Sequence, residues 1–128
     1  MKLKVKDLPP GPLLSVSPVT KLADVAREMR LHDSDSVAVM DDARLVGIIT
    51  ERDLVRAIAD GLNPMQASAA MVMTSDPATV SLDEDVNVVA VKMMRLGIRH
   101  LPVMDEQGEP AGLVSARDLI AVLDRARS

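Results

Sequence analysis

The sequence predicts an α/β (α+β) fold made of two pseudo-symmetric β-α-β-β-α units packed sheet to sheet. Three observations predict it. First, the chain repeats itself: a shift of 64 residues pairs Val16 with Val80, Ser17 with Ser81, Val25 with Val89, Ala26 with Ala90 and Met29 with Met93. Second, the same shift lays Val39-Met40-Asp41 on Val103-Met104-Asp105, and one extra residue near Gly108 raises it to 65 from there on. Gly47-Ile48-Ile49-Thr50-Glu51-Arg52-Asp53-Leu54 then meets Gly112-Leu113-Val114-Ser115-Ala116-Arg117-Asp118-Leu119. Third, each half alternates helical and extended apolar periods in the same order. A three-stranded sheet this small can hardly bury its apolar surface alone, so the two units are expected to form one body. The expected boundaries are 1–63 for the first unit with its lead-in, 64–77 for a linker, and 78–128 for the second unit.

In the first unit, Leu13 to Val16 reads as a short strand. Ser17 is the expected N-cap of a helix, with Pro18 in the first helical position, where its missing N–H costs nothing. Leu22, Val25, Ala26 and Met29 follow at i, i+3, i+4 and i+7 and mark one buried face. Ser36 to Met40 and Leu45 to Thr50 are strands joined by the turn Asp41-Asp42-Ala43-Arg44. A second helix runs from about Glu51 to Asp60 and ends near Gly61. Asn63-Pro64 opens one helical turn through Met65 to Ala70.

The second unit repeats this order. Ala78 to Val80 is the short strand, and Ser81-Leu82-Asp83-Glu84 reads as a capping box. Val86, Val89, Ala90 and Met93 form the helix face, which Gly97 stops. Ile98 to Met104 and Pro110 to Ser115 make the hairpin, and Ala116 to Arg125 the last helix.

Composition excludes several function classes. The net charge of −4 and the absence of Phe, Tyr and Trp argue against general nucleic-acid binding, since neither a basic surface nor a stacking ring is available. No apolar run reaches the roughly 18 residues that span a bilayer, and Pro9, Pro10 and Pro12 interrupt any signal-peptide core. Zero cysteine removes disulfides and thiolate metal sites and suits a cytoplasmic protein. His32, Asp33, Asp35, Asp41 and Asp42 include hard-metal ligands, but they read better as a polar helix end plus a turn. Neither of the two His sits in a catalytic motif, so no enzyme is expected.

The two hydroxyl–Asp stretches admit two readings. A strand that feeds directly into a helix aims free N–H groups and the positive end of the helix dipole at one spot, which favours phosphate. An Asp three residues after the hydroxyl can accept bonds from a ribose diol. The same [ST]-x-x-Asp pattern is also a capping box that serves only the helix's own donors. A cap alone explains neither the recurring glycine nor the recurring arginine.

The tandem β-α-β-β-α units, the glycine–aliphatic–aliphatic–[ST]-x-x-Asp stretch in both, Gly97-Ile98-Arg99-His100-Leu101-Pro102-Val103, and Met71-Val72-Met73-Thr74-Ser75-Asp76-Pro77 resemble the cystathionine-β-synthase (CBS) domain family. The resemblance covers about Val5 to Leu123. It implies a Bateman module that binds AMP, ADP, ATP or another adenosyl compound in clefts between the repeats, forms a homodimer and regulates a protein partner. By that resemblance, Asp118 holds one ribose, with Ser115 and Arg117 near the phosphates and Arg99 and His100 facing that cleft or its neighbour. The base lies against Val16, Ser36 and Val37. The second cleft uses Thr50, Arg52 and Asp53, with Val80 and Leu101 around the base. Arg52 and Arg117 also read as solvated first-turn residues, and His100 as a buried, hydrogen-bonded strand residue. A scaffold of the same fold that only dimerises or docks is the competing function.

Overall fold

The computed structural model describes residues 3–8 and 13–127, which divide into two units. One unit is Leu13–Pro77. Its elements are β1 (Ser15–Val16), α1 (Leu22–Leu31), β2 (Ser36–Asp41), β3 (Arg44–Thr50), α2 (Glu51–Ala59), α3 (Ala69–Val72) and β4 (Thr74–Ser75). β1 runs parallel to β2, β2 is antiparallel to β3 and β3 is antiparallel to β4. The parallel first pair is what a strand–helix–strand crossover requires. Val25 and Met29 of α1 bury against Val16, Val37, Val39 and Ile49, as the helical spacing predicts. Ala26, expected on that face, is exposed. It lies at the edge of the stripe, and a residue as small as alanine does not reach the sheet.

The other unit joins the N-terminal lead-in to the chain from Ala78 onward, which contains β5 (Val80–Ser81), α4 (Val86–Leu96), β6 (His100–Met104), β7 (Pro110–Ser115) and α5 (Ala116–Arg127). β5 is parallel to β6, and β6 is antiparallel to β7. Its core gathers Val80, Val86, Val89, Met93, Leu101, Val103, Val114 and Leu119. The two hairpins share even their irregularity: the register shifts between Val39 and Met40 and again between Val103 and Met104.

The lead-in departs from the expected division. Sequence order puts it with the first unit, yet Val5 is buried in the core of the second, and a short 3-10 turn at Val5–Asp7 bonds to it. Val5 N–H donates to Glu84 O at 2.9 Å and Lys6 N–H to Leu82 O at 3.0 Å. Residues 64–77 likewise do more than link: α3 and β4 belong to the first unit, with Ala69 in its core.

Helices α1 and α4 start later than expected for the same reason. Ser17 closes a turn, its N–H donating to Thr20 Oγ1 at 3.1 Å, and the helix waits for Leu22 behind an N-cap, Lys21, whose side chain does not cap. Ala67 O accepts from Leu22 N–H at 3.0 Å and Pro64 O from Ala23 N–H at 2.9 Å. In the second unit, Ser81 N–H donates to Glu84 Oε2, but α4 starts at Val86 with Asp85 as N-cap. Val86 N–H donates to Leu3 O at 2.8 Å. The first donor of each helix is met by a segment distant in sequence, while in α4 Asp85 Oδ1 still accepts locally from Asn87 N–H at 2.8 Å. Leu3 and Ala67 stand 64 residues apart, as do Leu22 and Val86, so this arrangement is part of the repeat.

Candidate functional site

Helices α2 and α5 start where the sequence places them, and each start is a small hydrogen-bonded cluster. Thr50, extended at φ −115°, accepts from Asp53 N–H at 3.3 Å through Oγ1. Its own N–H donates to Asp53 Oδ2 at 2.9 Å, and its hydroxyl donates to the same oxygen at 3.1 Å. In the second unit, Ser115 N–H donates to Asp118 Oδ2 at 2.9 Å, and Asp118 N–H donates to Ser115 Oγ at 3.1 Å. Both stretches are therefore complete capping boxes. The capping reading is correct as far as it goes. Among the described residues, each carboxylate bonds through Oδ2 alone, which leaves Oδ1 of Asp53 and Asp118 for another donor.

The strand before each hairpin brings two further residues to the same place. Ser36 pairs with Thr50 in register, and His100 pairs with Ser115. Directly opposed residues on antiparallel strands share a face with Cβ atoms about 5 Å apart. The residue one earlier supplies the helix's first acceptor: Asp35 O takes Glu51 N–H at 3.1 Å, and Arg99 O takes Ala116 N–H at 2.8 Å. Asp35, Ser36, Thr50 and Asp53 thus form one cluster and Arg99, His100, Ser115 and Asp118 its counterpart. The two differ in charge, because a carboxylate at 35 stands where a guanidinium stands at 99. Arg52 and Arg117 occupy the second helical position of α2 and α5, and both are exposed.

Four of the expected base contacts have buried side chains. Val37 and Leu101 are fully buried, and Val16 and Val80 nearly so, each packed in its own unit's core. Their side chains hold up the strands; what they present outward is backbone. Ser36 is buried as well, with its carbonyl accepting from Ser34 Oγ at 2.7 Å.

The glycine of the first stretch has a packing role. A Cβ built on Gly47 would lie 2.5 Å from Met73 Sδ and 3.0 Å from Met73 Cβ, because β4 crosses β3 with Gly47 opposite Ser75. A side chain at 47 would displace the side chain of Met73, a neighbour that sequence spacing alone does not reveal. Among the described residues, no group of three His, Cys, Asp or Glu is placed to hold a metal ion, and no helix is long and apolar enough to cross a membrane.

A family model described as CBS domain matches residues 5–60 and again residues 69–125. The chain is 36% identical over 124 residues to a 17.7 kDa protein of Acidianus ambivalens, covering 96% of this chain and 74% of that one. Other curated relatives are longer, and the chain covers 57% of one and 22% of another. Among solved structures, a CBS domain protein of Pyrobaculum aerophilum complexed with AMP superposes with a TM-score of 0.86 at 29% identity, over 98% of this chain and all (100%) of that one. A CBS domain pair in complex with 5'-methylthioadenosine and S-adenosyl-L-methionine gives a TM-score of 0.86 at 27% identity, over 100% of both chains.

Proposed function

The chain belongs to the CBS domain family, and from that premise we propose that it is a ligand-sensing regulatory module for an adenosyl compound, not an enzyme. The observation that carries this reading is the duplicated helix start, where a hydroxyl, a carboxylate with Oδ1 unused, and the positive end of a helix converge. A ribose diol is served by Oδ1 of Asp118 or Asp53 while Oδ2 continues to cap the helix. The phosphate or other anionic group lies over the N–H end of the helix, beside Ser115 or Thr50 and within reach of Arg117 or Arg52. Without an aromatic ring in the chain, the purine rests on backbone and aliphatic surface. AMP, ADP, ATP and S-adenosyl-L-methionine share the groups this arrangement recognises. The module pairs with a second copy, works in the cytoplasm and passes its ligand state to a protein partner.

The test begins with a spectrum. Lacking Trp and Tyr, the protein absorbs almost nothing at 280 nm, so a retained nucleotide appears directly as a peak at 260 nm. Melting curves with AMP, ATP and S-adenosyl-L-methionine follow. At a hundred times the dissociation constant, the expected stabilisation is about 2.7 kcal/mol per site. Both boxes already have a complete structural use as caps, which is what favours the scaffold as the alternative. Flat melts at millimolar concentration of all three compounds would establish the scaffold.

A further inference from the structure

Each unit is completed by a segment that precedes the other unit in the chain. In the second unit, Val5 N–H donates to Glu84 O at 2.9 Å, Lys6 N–H to Leu82 O at 3.0 Å, and Val86 N–H to Leu3 O at 2.8 Å. In the first, Ala69 N–H donates to Thr20 O at 2.8 Å, Ala70 N–H to Pro18 O at 2.9 Å, and Leu22 N–H to Ala67 O at 3.0 Å. Every residue of one set lies 64 positions from its counterpart in the other. The isolated bridges Lys4–Asp85 and Lys21–Ser68 obey the same offset.

The two segments are held unequally. In the first unit the chain runs on from these bonds into α3 and then β4, whose Thr74 and Ser75 pair with Ile48 and Gly47. That segment cannot leave without pulling a strand from its sheet. The lead-in forms the short turn Val5–Asp7, closed on itself by Asp7 Oδ2, which accepts from Lys4 N–H at 2.9 Å. Among the described residues, its side-chain hold on the unit is buried Val5, partly buried Leu3 and Leu8, and an exposed ion pair of Lys6 with Asp83 at 3.4 Å. Exposed pairs of that kind contribute little. Segments with few buried apolar contacts are the first to open from a native protein.

Val5 also joins the lead-in to the candidate ligand site of its own unit. It packs in one apolar cluster with Val114 and Leu119, which flank the Ser115–Asp118 box, and with Leu101, next to His100. A ligand that holds the start of α5 therefore steadies the cluster on which Val5 rests.

We propose that the lead-in is a latch that opens and closes on the second unit, and that occupancy of the Asp118 site holds it shut. The equivalent segment of the first unit stays in place. The latch rests on the adenosyl reading above for its ligand, and on the unequal hold alone for its release. Coupling of this kind is reciprocal: whatever holds the lead-in docked raises ligand affinity, and whatever draws it away lowers affinity by the same factor. Release bares Leu82 O, Glu84 O and Val86 N–H, so ligand state becomes a change in exposed chain that a protein partner can read.

Hydrogen exchange on the full chain, resolved by residue, tests this. Without ligand, the amides of Val5, Lys6 and Val86 should exchange together, with protection about tenfold or more below that of Ala69, Ala70 and Leu22. AMP at ten times its dissociation constant should slow the first set by about tenfold. In Asp118→Ala that slowing should vanish. Val5→Asp should strip protection from Lys6 and Val86 and leave Ala69, Ala70 and Leu22 as they were. Equal protection of the two sets, loss of both sets together in Val5→Asp, or bound AMP that leaves the first set unchanged would each overturn the proposal. A failure of AMP to bind would sink the adenosyl reading and the coupling with it, and the ligand-free comparison would still decide whether the latch opens.

Discussion

The two repeats use one backbone plan and different side chains around it. Both helix starts carry the same reciprocal bonds, both receive their first N–H at the carbonyl of the residue before the hairpin strand, and both hairpins bulge at the same step. Around those shared bonds, Arg99 answers Asp35, His100 answers Ser36, and exposed Val88, Val91 and Met94 of α4 answer Asp24, Arg27 and Arg30 of α1. The difference teaches where each kind of constraint acts. Buried backbone donors and acceptors must be satisfied, so the residues that serve them recur in both repeats. Side chains on which no shared backbone bond depends carry no such obligation, so the two halves are free to differ there.

The largest expected effect breaks the equivalence of the two boxes. Asp118→Ala should lower adenosyl affinity at its site by roughly 10- to 100-fold, the loss of hydrogen bonds to a charged group. Because Asp118 also caps α5, the same variant should lose about 1 kcal/mol of stability or less whatever its role in binding. Calorimetry therefore decides and the melt does not: unchanged affinity would return Asp118 to a cap only. Asp53→Ala, measured alongside, should remove the other site and leave the Asp118 site intact.

A smaller effect tests the charge difference between positions 35 and 99. We expect phosphorylated ligands to prefer the site with Arg99, since a charge-assisted contact is about twice as strong as a neutral one. Arg99→Ala should weaken AMP or ATP there by about tenfold and adenosine much less. Asp35→Arg should strengthen the weaker site for the same nucleotides. Two equal ATP sites in titration calorimetry, indifferent to both changes, would refute the assignment.

The smallest effect concerns helix ends. Gly97 closes α4 at φ +66°, and the matching residue after α1 is Asp33 at φ +49°. An L side chain strains in that left-handed region while glycine does not. Asp33→Gly should stabilise the protein by about 0.5–1 kcal/mol and Gly97→Ala destabilise it by about as much. For a chain of this length either change is read as a shift of roughly 3–5 °C in the melting midpoint. Opposite signs at two equivalent positions are the point of the pair, and equal signs would mean that the two caps are not equivalent.

The sequence alone was enough to read the duplication, the β-α-β-β-α order of each unit, both hairpins, and the starts of α2 and α5, though not α3 and β4. Each of those rests on local causes: a period of two or 3.6, a turn residue, or a box whose donor and acceptor lie three residues apart. The helix stripes were legible too, down to Val25, Met29, Val89 and Met93. What tertiary structure decided is everything satisfied from a distance. Ser17 and Ser81 looked like N-caps, but the first donors of α1 and α4 find Ala67, Pro64 and Leu3, whose carbonyls arrive only once the chain has folded. Val5 looked like part of the first unit and is buried in the second. Gly47 belongs to a recurring stretch, and only the folded chain shows Met73 packed over it. A local pattern cannot tell a backbone group satisfied by its neighbour from one satisfied by a segment 41 to 83 residues away, because both leave the same residues in the same order.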